Sequence, residues 1–349
     1  MAACLGWIFA VSVSAAPMPW SKQGLLSSFL GLCLGVFVAG PGGCSKPLPA
    51  SERPHGGATG SGGATAPGSL EIRYSDLPVV LRQDARVDFT TTGGGAYAQA
   101  TFEAQLEVSL RGGGKGSAKD SAKDPDSVEV RWQVLGLDAV KLDGSLAAKG
   151  EDVATYVQAH GRGVWVIARS GVLDHRAGAA HPGNAKRLAA LQLADAALAD
   201  RRAAGQQDAV PAPGATLLKL LPELISLPRL PAGPIAIGAT IETTEAHDTV
   251  LTGTELVIPT ETTVRYTLVS VQSGAGIRLA ELVFTSEDWG EPSLEDGEVE
   301  LRNTTEGTML FDVDRGTPVT VSFTREESLV AGEVSYDTTK IVSASYERS

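Results

Sequence analysis

The residues able to do chemistry in this chain are few and poorly grouped. The three cysteines, Cys4, Cys33 and Cys44, all lie in the first 44 residues. Nothing downstream can therefore act as a thiolate nucleophile, form an internal disulfide or supply a cysteine-based metal site. The histidines are His55, His160, His175, His181 and His247, and none stands in H-E-x-x-H. His175 and His181 bracket Arg-Ala-Gly-Ala-Ala, with Asp174 beside them. A metal centre needs three or four converging ligands, so solvated loop histidines are the expectation. No G-x-S-x-G nucleophile elbow occurs. Gly114-Lys115 is followed by Gly116 and no helical pattern, unlike a phosphate-binding loop. Asp312 and Asp314 alternate with Val313, and Glu295, Asp296 and Glu298 share a turn, but no calcium-loop spacing accompanies them. The expectation is a protein that is not an enzyme and uses no metal or cofactor. A hydrolase with an unrecognised site is the third choice.

The elements that must position any site are mostly strands. The chain has 349 residues, with 29 basic and 41 acidic side chains and a net charge of −12. A dispersed acidity of this kind argues against a nucleic-acid partner, whose phosphates it would repel. From Ser69 onward apolar and polar residues alternate with period 2, the signature of half-buried strands. The clearest case is Tyr97 to Leu110. Its expected partner carries Val128, Val130, Trp132 and Val134 in the same alternation. Between them, Gly112 to Asp126 repeats Ser-Ala-Lys-Asp in tandem and reads as an exposed hairpin tip. Trp132, Trp165 and Trp289 fall on strands and read as core or cavity lining.

The chain is organised around Leu217–Ile241, its most apolar stretch outside the N-terminus. Leu217, Leu220, Leu221 and Leu224 recur at helical spacing, widened by Leu218 and Ile225. This predicts a buried helix over about 215–226. Pro228, Pro231 and Pro234 forbid its continuation and predict an extended strap. A second helix is predicted over 184–204, with Asn184 as N-cap and Arg201 and Arg202 near its C-terminus. The fold expected is mainly β (α+β): a curled antiparallel sheet or half-barrel of short strands with one or two packed helices. Its first β half spans 69–175, a helical and Pro-rich insert 183–237, and its second β half 238–348. The residues singled out for a ligand are Leu221, Leu224, Trp132 and Trp165. A core helix without a cavity is the plainer reading.

Residues 1–43 hold two apolar runs and a single charged residue, Lys22. Starting from Met18 instead of Met1, Lys22 precedes a 16-residue apolar run, Leu25 to Gly40. This is signal-peptide length and short of the ~20 residues of a membrane span. Cys44 and Ser45 follow. Residues 18–45 thus resemble bacterial lipoprotein signal peptides, in which the cysteine after the cut is lipidated. Gly42 and Gly43 fit that pattern; Pro41 stands where Leu is usual. Cleavage after Gly40 with plain secretion, or an uncleaved anchor, are the rivals. Residues 44–68 read as a tether of Gly, Pro and Ser, with a reach of roughly 25–30 Å.

Two further stretches resemble a family of uncharacterised bacterial lipoproteins with a domain of unknown function. They are LPRLPAGPIAIGATIETT, from Leu227, and TEGTMLFDVDRGTPVTVSF, from Thr305. Ala239 and Ile241 depart from the family's strap. The resemblance implies a β-rich fold and an envelope location, and no known activity. The expectation is a cell-envelope lipoprotein, lipid-anchored through Cys44, with the outer membrane favoured and a soluble secreted or periplasmic form as alternative. Its partners would be the membrane and an apolar ligand or an envelope protein. A structural or interaction module without a ligand cavity is the alternative.

Overall fold

The computed structural model describes residues 68–75, 77–93, 96–112, 127–144, 153–169, 181–206, 212–224, 227–250, 257–274, 276–290, 293–294, 297–331 and 334–349. Cys44, the signal-like segment, the tether, the Ser-Ala-Lys-Asp repeat, Asp174 and His175 lie outside them.

Long strands dominate. β2 (Val79–Gly93), β3 (Ala96–Gly112), β4 (Ser127–Gly144) and β5 (Arg162–Ala168) form the first half. β7 (Thr240–Val250), β8 (Val257–Gly274), β9 (Ile277–Gly290), β11 (Gly297–Asp312), β12 (Thr317–Ala331) and β13 (Val334–Arg348) form the second. They make one antiparallel sheet in the order β5-β4-β3-β2-β13-β12-β11-β9-β8-β7, and the short β10 (Ser293–Leu294) pairs with β11. The last strand, β13, returns beside β2 and so joins the two halves. The end strands β5 and β7 do not pair with each other, and the sheet stays open. This is the mainly β architecture with packed helices that the alternation predicts.

The strands are longer than expected. Residues 79–82 and 86–92 merge into β2, 257–261 and 262–271 into β8, and 297–304 and 307–312 into β11. Gly307 reads as a break, yet the ladder runs through it. Tertiary pairing overrides a local break when both neighbouring strands hold the chain extended. Register shifts at Thr101/Glu103, Gln105/Leu106, Leu268/Ser270 and Leu310/Phe311 interrupt the ladder; such bulges bend and twist a sheet.

Three α-helices lie among the described residues. α1 (Val153–His160) escaped the sequence reading. α2 (Ala185–Ala203) and α3 (Pro213–Leu224) match the two predicted helices within two residues at each end. In α3, Leu217 and Leu221 enter the main core with the sheet, while Ala215 and Leu218 meet Ala190 and Leu191 of α2. That double contact explains why the apolar stripe is wide. Leu224 belongs to the last turn of α3.

The predicted strap is present. β1 (Ser69–Leu70) pairs with β6 (Ile235–Ala236), and residues 71–75 continue irregularly where a strand was expected. The Tyr74 hydroxyl donates to the Pro228 carbonyl at 2.7 Å. Gly238, at φ +79, and Ala239 tie the strap to Leu268 of β8 through two backbone hydrogen bonds.

Candidate functional site

The inner face of the sheet is built in rows, because antiparallel register sets one inward residue of each strand beside one of the next. One row runs Phe102, Val87, Val342, Phe323, Gly307, Phe284, Tyr266, Ile241, across β3, β2, β13, β12, β11, β9, β8 and β7. Every side chain in it is apolar or aromatic. At Gly307 an added Cβ would lie 2.5 Å from Phe284 Cζ and 2.6 Å from the Ser322 carbonyl oxygen, so the neighbours occupy the space that a side chain would need.

Exposure divides the row. Phe102 and Val87 are fully buried and Val342 is 1% exposed, whereas Phe323, Phe284 and Ile241 are only partly buried. The half nearest β3 is a closed core; in the half nearest β7, Phe323, Phe284 and Ile241 stay in reach of solvent around a buried Tyr266.

Two rows further along the strands, the wall turns polar: Thr91, Thr338, Glu327, Asn303, Asp288, Thr262 and Glu245 are successive register partners. Lys340 and Arg325 join from the row between. Lys340 Nζ donates to Glu327 Oε1 at 2.9 Å, and Arg325 Nε lies 2.8 Å from the same oxygen. Asp288 accepts from Thr262 Oγ1 at 2.8 Å and Asn303 Nδ2 at 3.1 Å, and pairs with Arg325 at 3.4 Å. Burial pushes the Glu327 carboxyl upward, but Lys340 and Arg325 outweigh it and hold the group below its ordinary value. Two cations face two anions, and each of the four has a counter-charge. Such a network fixes the wall and offers no carboxylate poised as a general base.

The residues singled out from the sequence part company. Leu221 is fully buried in the main core, as a packing residue. Trp132 and Trp165 stack at 5.5 Å between ring centroids and are also buried, near β5 and distant in sheet order from the open wall. Trp289 reads differently from the expectation: its neighbour Asp288 points inward, so it points outward and is 44% exposed. His181 Nδ1 accepts from the Gly183 N–H, and its Nε2 lies 3.7 Å from Glu129. Asp314 pairs with Arg278, and Asp312 with Arg315. Among the described residues no group of three or more His, Cys, Asp or Glu could hold a metal ion.

One residue was missed. Arg187, in the first turn of α2, is 7% exposed, and its guanidinium carbon sits 5.8 Å from the centroid of a Trp132 ring. Its Nε and Nη1 have no acceptor, nor has Trp132 Nε1. Burial lowers its pKa to about 10, which still leaves it charged at neutral pH. A signal existed: Arg187 lies three and four residues before Ala190 and Leu191, on the stripe that α2 buries.

On the outer face, Asp84, Arg86, Glu103, Gln105 and Asp138 rim a depression of about 410 Å³ with Ser and Thr of β12 and β13. It is shallow and of mixed charge.

No family model matches this chain, and no curated protein matches it. Among solved structures, OccK2 (OpdF) of Pseudomonas aeruginosa aligns at 8% identity, covering 80% of this chain and 100% of that chain, with a TM-score of 0.13. The same protein in complex with glucuronate aligns at 8% identity over 82% of this chain and 100% of that chain, with a TM-score of 0.12. Scores of this size carry no argument about fold or function.

Proposed function

We propose that this chain is an exported envelope lipoprotein, tethered through Cys44, whose curled sheet binds an apolar or amphipathic ligand along its inner wall. The observation that carries the binding half is the row Ile241, Phe284 and Phe323. These side chains point inward, touch the core and remain partly exposed. Apolar wall with a few placed polar groups is the usual make-up of small-molecule sites. The polar row from Glu327 to Glu245 supplies such groups beside it. The anchoring half rests on the apolar run Leu25 to Gly40, which Cys44 follows after three residues.

The alternative, a scaffold without a ligand, is favoured by the closed half of the same row, where Phe102, Val87 and Val342 leave no room. No catalytic role is proposed.

Native mass spectrometry of the full-length chain purified from membranes is the test. The expected result is a species heavier than the lipidated chain by one releasable lipid-sized molecule. A single species at the mass of the lipidated chain, unchanged after incubation with a lipid extract, would favour the scaffold. Cys44→Ala is expected to move the protein from the membrane to the soluble fraction. Retention of that variant as an uncleaved chain would mean a protein anchor in place of a lipid.

A further inference from the structure

We infer that Arg187 and Trp132 form a binding site for a carboxylate group carried on an apolar body. The argument starts from what a buried guanidinium requires. Arg187 has five N–H donors and no acceptor of its own. It is 7% exposed, and its Nε and Nη1 are shut off from water. Its Nε and Nη1 meet no acceptor, and Trp132 Nε1 beside it meets none either. Unpaired buried donors are rare in folded proteins, and an unpaired buried charge is rarer. The ring of Trp132 offsets part of the charge but accepts no conventional hydrogen bond from it.

The described residues around them fix these groups but pair with neither Nε, Nη1 nor the indole N–H. Gly163 of β5 leaves room for Trp132: an added Cβ there would stand 2.8 Å from the indole ring and 2.8 Å from Asn184 Oδ1. Asn184, three residues before Arg187, is itself held on the backbone of β5. Glu129, on β4, is engaged with Arg131 and His181. What the described residues do not supply is an acceptor with two oxygens for Nε and Nη1. A planar carboxylate meets an arginine fork and leaves lone pairs for an indole N–H. Trp132, beside Arg187, stacks on Trp165, and this aromatic neighbourhood suits an apolar remainder better than a strongly hydrated dianion. The site adjoins β4 and β5, at the other end of the sheet order from Ile241 on β7, and is independent of the inner wall proposed above.

Sodium hexanoate is the probe, added to the full-length chain at constant ionic strength and followed by tryptophan fluorescence and thermal denaturation. Hexanol and inorganic phosphate are the controls. The expected result is a saturable fluorescence change and a raised Tm with hexanoate alone. Arg187→Met should weaken binding by about tenfold or more, and Trp132→Phe, which keeps an aromatic ring and loses the donor, by several-fold. If Arg187→Met fails to fold, Arg187→Lys decides, since it keeps the charge and loses the fork. Equal hexanoate binding by wild type and the Arg187 variants would overturn the proposal and place the ligand on the inner wall. Equal binding of hexanol, a saturable response to phosphate alone, or none to any probe would overturn it as well.

Discussion

Asn184 holds both backbone groups of Val164. The Val164 N–H donates to Asn184 Oδ1 at 2.9 Å, and Asn184 Nδ2 donates to the Val164 carbonyl at 3.0 Å. Val164 lies on β5, an end strand of the sheet. The amide side chain thus takes the place of one residue of a further strand and blunts an edge that could otherwise pair with another chain. Asn184→Leu should cost about 2–4 kcal/mol, because two buried backbone groups lose their partners. Chemical denaturation measures that loss, and size-exclusion chromatography should show added self-association.

Lys340 and Glu327 make the second prediction. Lys340 is nearly fully buried, and Glu327 is its acceptor at 2.9 Å. Glu327→Gln should therefore destabilise by about 3–5 kcal/mol, leaving a buried cation without its counter-charge. Lys340→Met in the same chain should recover much of the loss.

The pH dependence follows in sign from the same pair. The Glu327 pKa is lowered on folding, so its stabilisation is present above the ordinary carboxylate value of 4.5 and is lost as pH falls through the lower folded value. Wild-type Tm should drop more steeply below that pH than the Tm of Glu327→Gln. Parallel curves would show that other carboxylates govern acid unfolding.

Leu221→Ala should cost about 2–5 kcal/mol, the transfer term plus a cavity. Leu193→Ala, at a position 73% exposed on α2, should change stability by less than about 0.5 kcal/mol. Thermal denaturation of both variants with and without added lipid also bears on function. A ligand of the native state should raise the Tm of Leu221→Ala by mass action.

Gly307→Ala should cost about 1–3 kcal/mol through overpacking. The new methyl would meet the Ser322 carbonyl oxygen, a backbone atom that cannot rotate away, as well as Phe284 and Phe323. Lipid binding at the inner wall should fall with it, read by the same mass spectrometry.

Much of the fold was legible because period-2 alternation reports which side of a sheet is buried. β3 and β4 were found as partners from Leu106 to Trp132 by that pattern alone. Strand length was less legible. A glycine looks like an end until the neighbouring strand is known, and Gly307 is mid-ladder. α1 was missed because eight residues, Val153 to His160, are too few for a helical stripe to stand out.

Asn184 shows where local and tertiary demands compete. Its type and position mark a helix N-cap, and α2 does begin at the next residue, but its side chain makes no capping bond. The amide goes instead to β5, which the sequence could not place beside it. Arg187 is the stronger case. The sequence determined only its place three and four residues before Ala190 and Leu191. Only the tertiary structure decided that Trp132, 55 positions earlier, would stand over it and that no carboxylate of the described residues would. The sequence likewise determined the alternation that points Ile241, Phe284 and Phe323 inward. The open state of their end of the row, against the closed state around Val87, was decided by strand order, since neighbours in a sheet are chosen by register across the whole chain.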